Sequence, residues 1–173
     1  MKFKLETATE ILRQTPSTLT QMLSRLSVEW TETKDDQADW SPYDVIGHLI
    51  NCEETDWISR AEVILAQSDD RQFAPFDRFG QFEKYRDQTL NELLAEFTNA
   101  RNAGLETIAR WELTPEKLAL RGVHPDLGEV TLEQLLATWV VHDLTHTRQI
   151  VTYMAKKYSD AVGPWKEFLS ILK

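Results

Sequence analysis

Apolar residues recur at helical spacing through four long stretches of this chain, and glycine and proline, six of each, punctuate the sequence rather than pervade it. The first stretch runs from about Phe3 to Leu26, with Leu5, Ala8, Ile11, Leu12, Leu19, Met22, Leu23 and Leu26 on its stripe. Thr15-Pro16 inside it reads as a cap followed by a first-turn proline, so a kink or restart is expected there. The polar segment "SVEWTETKDDQAD" has no periodicity and reads as a connection. In "WSPYDVIGHLINCEETDWISRAEVILAQ", Ser41 serves as N-cap, Pro42 suits the first helical position and Asp44 sits three residues after the cap. That helix is expected to reach about Gln67. "SDDRQFAPFDRFG" is long for a tight helical hairpin and is expected to cross over the bundle. A third helix is expected from about Gln81 to Ala109, then a short helical piece opened by Thr114-Pro115, and a loop at "RGVHPDLGEV". Thr131 with Gln134 makes a capping box for a fourth helix, Leu132 to about Lys157. The tail "GPWKEFLSIL" carries enough apolar residues to pack back on the body. Four long helices with no sustained strand alternation predict an all-α four-helix bundle, one domain over residues 1–173.

Composition narrows the function. A net charge of -9, from 28 acids against 19 bases, repels phosphate backbones, and no polybasic window appears, so no nucleic-acid partner is expected. No apolar run is long enough to span a bilayer, and the N-terminal residues lack a signal-peptide core. No membrane association is expected, and the cytoplasm is the expected location. With Cys52 as the lone cysteine, neither an internal disulfide nor a cysteine-based zinc site can form within one chain.

The histidines carry the chemistry. His142 and His146, in "WVVHDLTHTRQI", lie about 40° apart around their helix and about 6 Å apart along it, so both imidazoles can reach one ion. Leu135, Trp139, Ile150 and Tyr153 share their face, which is therefore the core-facing one. The competing reading is a pair of core histidines satisfied by carbonyls, carboxylates or water. The sequence between them, Asp143-Leu144-Thr145, lacks the glutamate of a protease zinc helix. His48 flanks the stripe of Val45, Leu49 and Cys52 near the start of the second helix, a position that suits a third ligand. Three histidines would leave coordination positions open, as in a catalytic site. His124 sits in a proline-glycine loop and is expected at the surface or on the rim of a site. Trp139, one turn before His142, is a candidate pocket wall.

At these residues the chain resembles the DinB-like, or YfiT-like, family of metal-binding four-helix bundles. "WSPYDVIGHL" with His48, "HPDLGEVTL", and "TLEQLLATWVVHDLTHTRQI" with His142 and His146 carry the resemblance in register over nearly the whole chain. The resemblance implies an up-down-down-up bundle, a site for one divalent ion (Zn, Ni or Fe) on His48, His142 and His146, and a homodimer. It also implies activities that include thiol transfer with a low-molecular-weight thiol as cosubstrate, thiol-dependent isomerisation and hydrolysis of a small-molecule substrate. Arg148 and Arg121 are the candidates for binding the carboxylates of a thiol cofactor.

A divalent ion on neutral imidazoles could lower the pKa of a water or hold a thiolate. Asp143 is turned about 100° from His142 and is expected behind the site or at the surface. The run Glu53, Glu54, Asp56 reads mainly as a solvated face, with Glu53 or Asp56 able to turn inward, and Cys52 reads as a buried small apolar residue. A non-catalytic stress-response or small-molecule-binding bundle with a structural metal, and a dimerising scaffold with residual histidines, stand as alternatives.

Overall fold

A computed structural model describes residues 2–34 and 39–173. Residues 35–38, within the polar connection, lie outside the described residues; earlier in that connection Val28–Thr31 forms a single helical turn. Four long helices make the bundle. Helix α1 spans Leu5–Leu23. Helix α2 is continuous but changes pitch: α-helical over Pro42–Cys52, a π turn over Glu53–Trp57, then α-helical over Ile58–Ala66. Helix α3 spans Leu90–Arg110 and α4 spans Leu132–Lys156. The main packing places α1 and α2 each against both α3 and α4.

Two apolar layers give the direction of each helix. One joins Leu12, Ala61, Ile64, Leu105, Ile108, Leu132 and Leu135; the other joins Leu19, Leu23, Val45, Ile46, Leu90, Leu93 and Ile150. Helix α1 passes from the first layer to the second, α2 and α3 each run from the second to the first, and α4 returns from the first to the second. This is the up-down-down-up order that the resemblance implies, and it forces the chain between α2 and α3 to travel back along the bundle.

Capping boxes start three of the helices: Ser41 with Asp44, Thr89 with Glu92, and Thr131 with Gln134. The third expected helix is in fact two. Gly80–Lys84 forms a short helix, the chain breaks around buried Tyr85, and Thr89 restarts it. The hydroxyl of Tyr43 stands 2.5 Å from the Tyr85 carbonyl and 2.8 Å from that of Gln88, supplying a donor where the break leaves acceptors free.

Two further expectations are corrected, and a third holds in part. Helix α1 neither stops nor restarts at Pro16. The proline removes the amide that would bond the Leu12 carbonyl, and Arg101 Nη1 donates to that carbonyl at 2.7 Å instead. The segment read as a loop after the Pro115–Leu118 turn is an antiparallel hairpin, β1 (Arg121–His124) with β2 (Gly128–Thr131). Its four-residue strands are too short to show alternation. It also pins the crossover, since Phe73 N donates to the Val123 carbonyl at 2.9 Å and Val123 N to that of Arg71 at 2.8 Å. A Cβ on Gly122 would stand 2.5 Å from Phe73 Cε1, so only glycine allows this approach. Finally, the tail returns to the body only in part: Ser170–Leu172 lies against α4, while Trp165 and Phe168 stay 73% and 78% exposed.

Candidate metal centre

The Ser41 cap and Pro42 set the start of α2, and six residues further His48 turns into the interior, 5% exposed. From α4, His142 and His146 face it across the bundle. Nε2 of His48 lies 3.2 Å from Nε2 of His142, which lies 3.1 Å from Nε2 of His146. All three ligand atoms fall within 4.8 Å of one another, and no other residue joins them as a potential ligand among the described residues. Nitrogens about 2.0–2.1 Å from a zinc ion stand about 3.3–3.4 Å apart at tetrahedral angles, and about 3.0 Å apart at right angles. The observed separations lie between these values, so the donors fit one first-row divalent ion.

The surroundings favour the neutral, ligating form of each ring. Burial, with His146 and Arg78 as nearby positive charges, lowers the pKa of His48 to about 3. Burial, followed by repulsion from His146, His48 and Arg101, lowers that of His142 to about 2. Burial also lowers that of His146, against the pull of Gln149 and Asp143. His146 Nδ1 donates to Gln149 Oε1 at 2.7 Å, which holds the proton on Nδ1 and leaves the Nε2 lone pair facing the other two rings. His142 Nδ1 is buried without a hydrogen-bond partner.

Aromatic rings wall the triad. Trp40 and Phe76 lie 5.1 and 5.7 Å from the His48 ring, and Trp57 lies 5.0 Å from that of His142, centroid to centroid. Cys52 Sγ is 3.5 Å from His48 Nε2 and 3.9 Å from His142 Nε2. It is 2% exposed, and burial together with Asp56 and Glu53 pushes its thiol well above the usual range, as expected of a small buried apolar residue. The approach from outside is an open groove bordered by Asp39, Trp40, Arg78, Phe79, His146 and Gln149.

Trp139 lies one layer deeper than a pocket wall. It is fully buried, stacks on Trp57 at 5.8 Å and donates its Nε1 proton to Glu53 Oε1 at 2.9 Å. His124 is on the hairpin, where its Nδ1 accepts from Asp126 N at 3.1 Å and its ring meets Phe73 edge-on, and it is not part of the three-histidine group. Arg121 pairs with Glu129 on the same hairpin, whereas Arg148 borders a hollow alongside α4. Asp143 is nowhere near the surface: it is wholly buried, with Oδ2 accepting from Arg101 Nη1 at 2.6 Å and Oδ1 from Nη2 at 2.9 Å. The π turn widens α2 by one residue and brings both Glu53 and Asp56 inward, Glu53 to Arg101 at 2.7 Å and Asp56 to Arg60 at 2.5 Å.

Arg101 is the residue that sequence reasoning missed. Its guanidinium bonds to the Leu12 carbonyl of α1, Glu53 of α2 and Asp143 of α4, so one α3 side chain ties the other three helices together. The signal was present, because Arg101 stands one turn from Phe97 and one from Leu105 on an otherwise apolar stripe. Gln149, one turn after His146, was legible in the same way.

Comparison with known proteins agrees with the fold. None of the curated proteins matches the chain. Among solved structures, YfiT from Bacillus subtilis, described as a probable metal-dependent hydrolase with an unusual four-helix bundle topology, superposes with a TM-score of 0.74 over 90% of each chain at 18% identity. A sequence profile of the DinB superfamily matches residues 11–150, which include His48, His142, His146 and the ion pairs beside them. The chain therefore belongs to the DinB superfamily.

Proposed function

We propose that His48, His142 and His146 hold one divalent metal ion and that the centre hydrolyses a small-molecule substrate. The observation that carries this reading is the convergence of three neutral imidazole nitrogens, a group that no other side chain joins among the described residues, with the neighbouring Cys52 thiol kept protonated by burial. A structural zinc site closes its coordination with four protein ligands; a catalytic one keeps a position for water or substrate. When bound, a divalent ion would supply Lewis acidity and lower the pKa of water toward neutrality. The protein's own contribution is placement. Gln149 fixes the His146 tautomer, Trp40, Trp57 and Phe76 keep bulk water from the sides, and the groove at Arg78 and Gln149 admits the substrate. The description of YfiT as a probable metal-dependent hydrolase supports the same reaction class.

The test is turnover of a panel of esters and amides by protein loaded in turn with Zn, Ni and Fe, with and without added low-molecular-weight thiols. Hydrolysis without thiol, lost on chelation and in His142→Ala, is expected. Turnover that appears only with thiol would replace hydrolysis by thiol transfer. A loaded protein inert in both arms would favour the non-catalytic bundle.

A further inference from the structure

The groove beside the triad is bordered by positive charge that forms no ion pair among the described residues. Two adjoining hollows share Asp39, Trp40 and Gln149. One takes in His146, Arg78 and Phe79; the other follows α4 past Thr145, Arg148, Thr152 and Lys156. Among the described residues that border these hollows, three cations stand with one acid, Asp39, in a chain whose acids outnumber its bases 28 to 19. The ion pairs among the described residues engage Lys34, Arg60, Lys84, Arg86, Arg101 and Arg121, and none uses Arg78, Arg148 or Lys156. Unpaired arginines at the mouth of a site present rigid forks of donors that match a carboxylate or phosphate.

The spacing suits a small ligand. Along α4, Arg148 lies about 3 Å and Lys156 about 15 Å beyond His146. Arg78 approaches from the crossover and borders the same hollow as His146. Between the cations lie the neutral polar groups of Thr145, Gln149 and Thr152, with Trp40 as an apolar wall.

We infer that the substrate is a small anion whose carboxylate or phosphate group is held by Arg78 and Arg148 while its reacting bond faces the histidine triad. The placement of the reacting bond rests on the hydrolytic reading above; the anion site itself can be tested without it. Metal-free full-length protein is titrated with glutarate and, separately, with inorganic phosphate, and binding is followed by tryptophan fluorescence and by NMR. Saturable binding of at least one probe is expected, weakened tenfold or more in the double variant Arg78→Gln, Arg148→Gln and unchanged in Arg121→Gln on the hairpin. The tighter probe distinguishes a carboxylate from a phosphate substrate. No saturable binding of either, or equal binding by wild type and the double variant, overturns the proposal. Because the protein is metal-free, neither outcome depends on whether the triad takes a metal, which elemental analysis decides separately.

Discussion

Two polar clusters occupy neighbouring positions on α4, and they are built on opposite principles. At Asp143 the interior is closed: Arg101, Glu53 and Asp143 are buried, and the Arg101 guanidinium donates to both carboxylates and to the Leu12 carbonyl. One residue earlier, at His142, the interior is open: three imidazoles held neutral by burial turn their nitrogens toward a shared point that a groove reaches. The first cluster uses complementary charge to fix the register of four helices. The second leaves its lone pairs unmatched, which contributes little to folding and is what a ligand requires. Unpartnered atoms occur in both, Glu53 Oε2 and Arg101 Nε in the first and His142 Nδ1 in the second, so what sets the second apart is the convergence of ligand nitrogens beside a groove.

The largest expected effect breaks the closed cluster. Arg101→Met leaves Asp143 and the Leu12 carbonyl without their donor, and Glu53 with only that of Trp139, and should cost about 3–5 kcal/mol in urea unfolding of the metal-free protein. A loss below about 1 kcal/mol would mean that the cluster does not hold the helices together. The open cluster should respond to ligand instead. Zinc at about a thousandfold excess over its Kd should stabilise wild type by about 4 kcal/mol and His142→Ala not at all, as read by thermal melts.

Acid should separate the clusters more gently. The folded pKa values of His48 and His142, about 3 and about 2, lie below the unfolded value of about 6.5. Protons therefore bind the unfolded chain first, and the stability these two residues contribute is present above pH 6.5 and lost as pH falls from there toward 3. Equilibrium unfolding of metal-free protein between pH 7 and pH 4 should show this slope, flattened in His48→Gln; an unchanged slope would show that His48 is not the source. The smallest effect should be Pro16→Ala. A mid-helix proline ordinarily costs about 3 kcal/mol, but here Arg101 already bonds the carbonyl that the proline leaves free, so the gain should stay within about 1 kcal/mol. A gain near 3 would mean that Arg101 does not compensate the proline.

The open cluster was far more legible in the sequence than the closed one. His142 and His146 are linked by local spacing, and capping boxes at Ser41 and Thr131 fixed the helices that carry the triad. Arg101 depends on contacts with residues 89 and 42 positions away, so no local pattern names its partners. Asp143 was left open between a place behind the site and the surface for a related reason: rotation about the helix says that it leaves the His142 face, but not that another helix waits on the other side, with Arg101 to hold it behind the site. The break before α3 went unseen because Gln81, Phe82 and Tyr85 continue the helical spacing while the Thr89 cap interrupts it. The π turn left no periodic mark, and only its acids facing inward reveal it.

Whether the triad binds a metal is the claim on which the functional reading rests, and elemental analysis of the purified protein tests it most directly. One equivalent of Zn, Ni or Fe per chain is predicted after exposure to each metal and desalting, with less than about a tenth of an equivalent in folded His48→Ala or His142→Ala. A folded wild-type protein that takes up none of the three metals, or variants that retain a full equivalent, would contradict it.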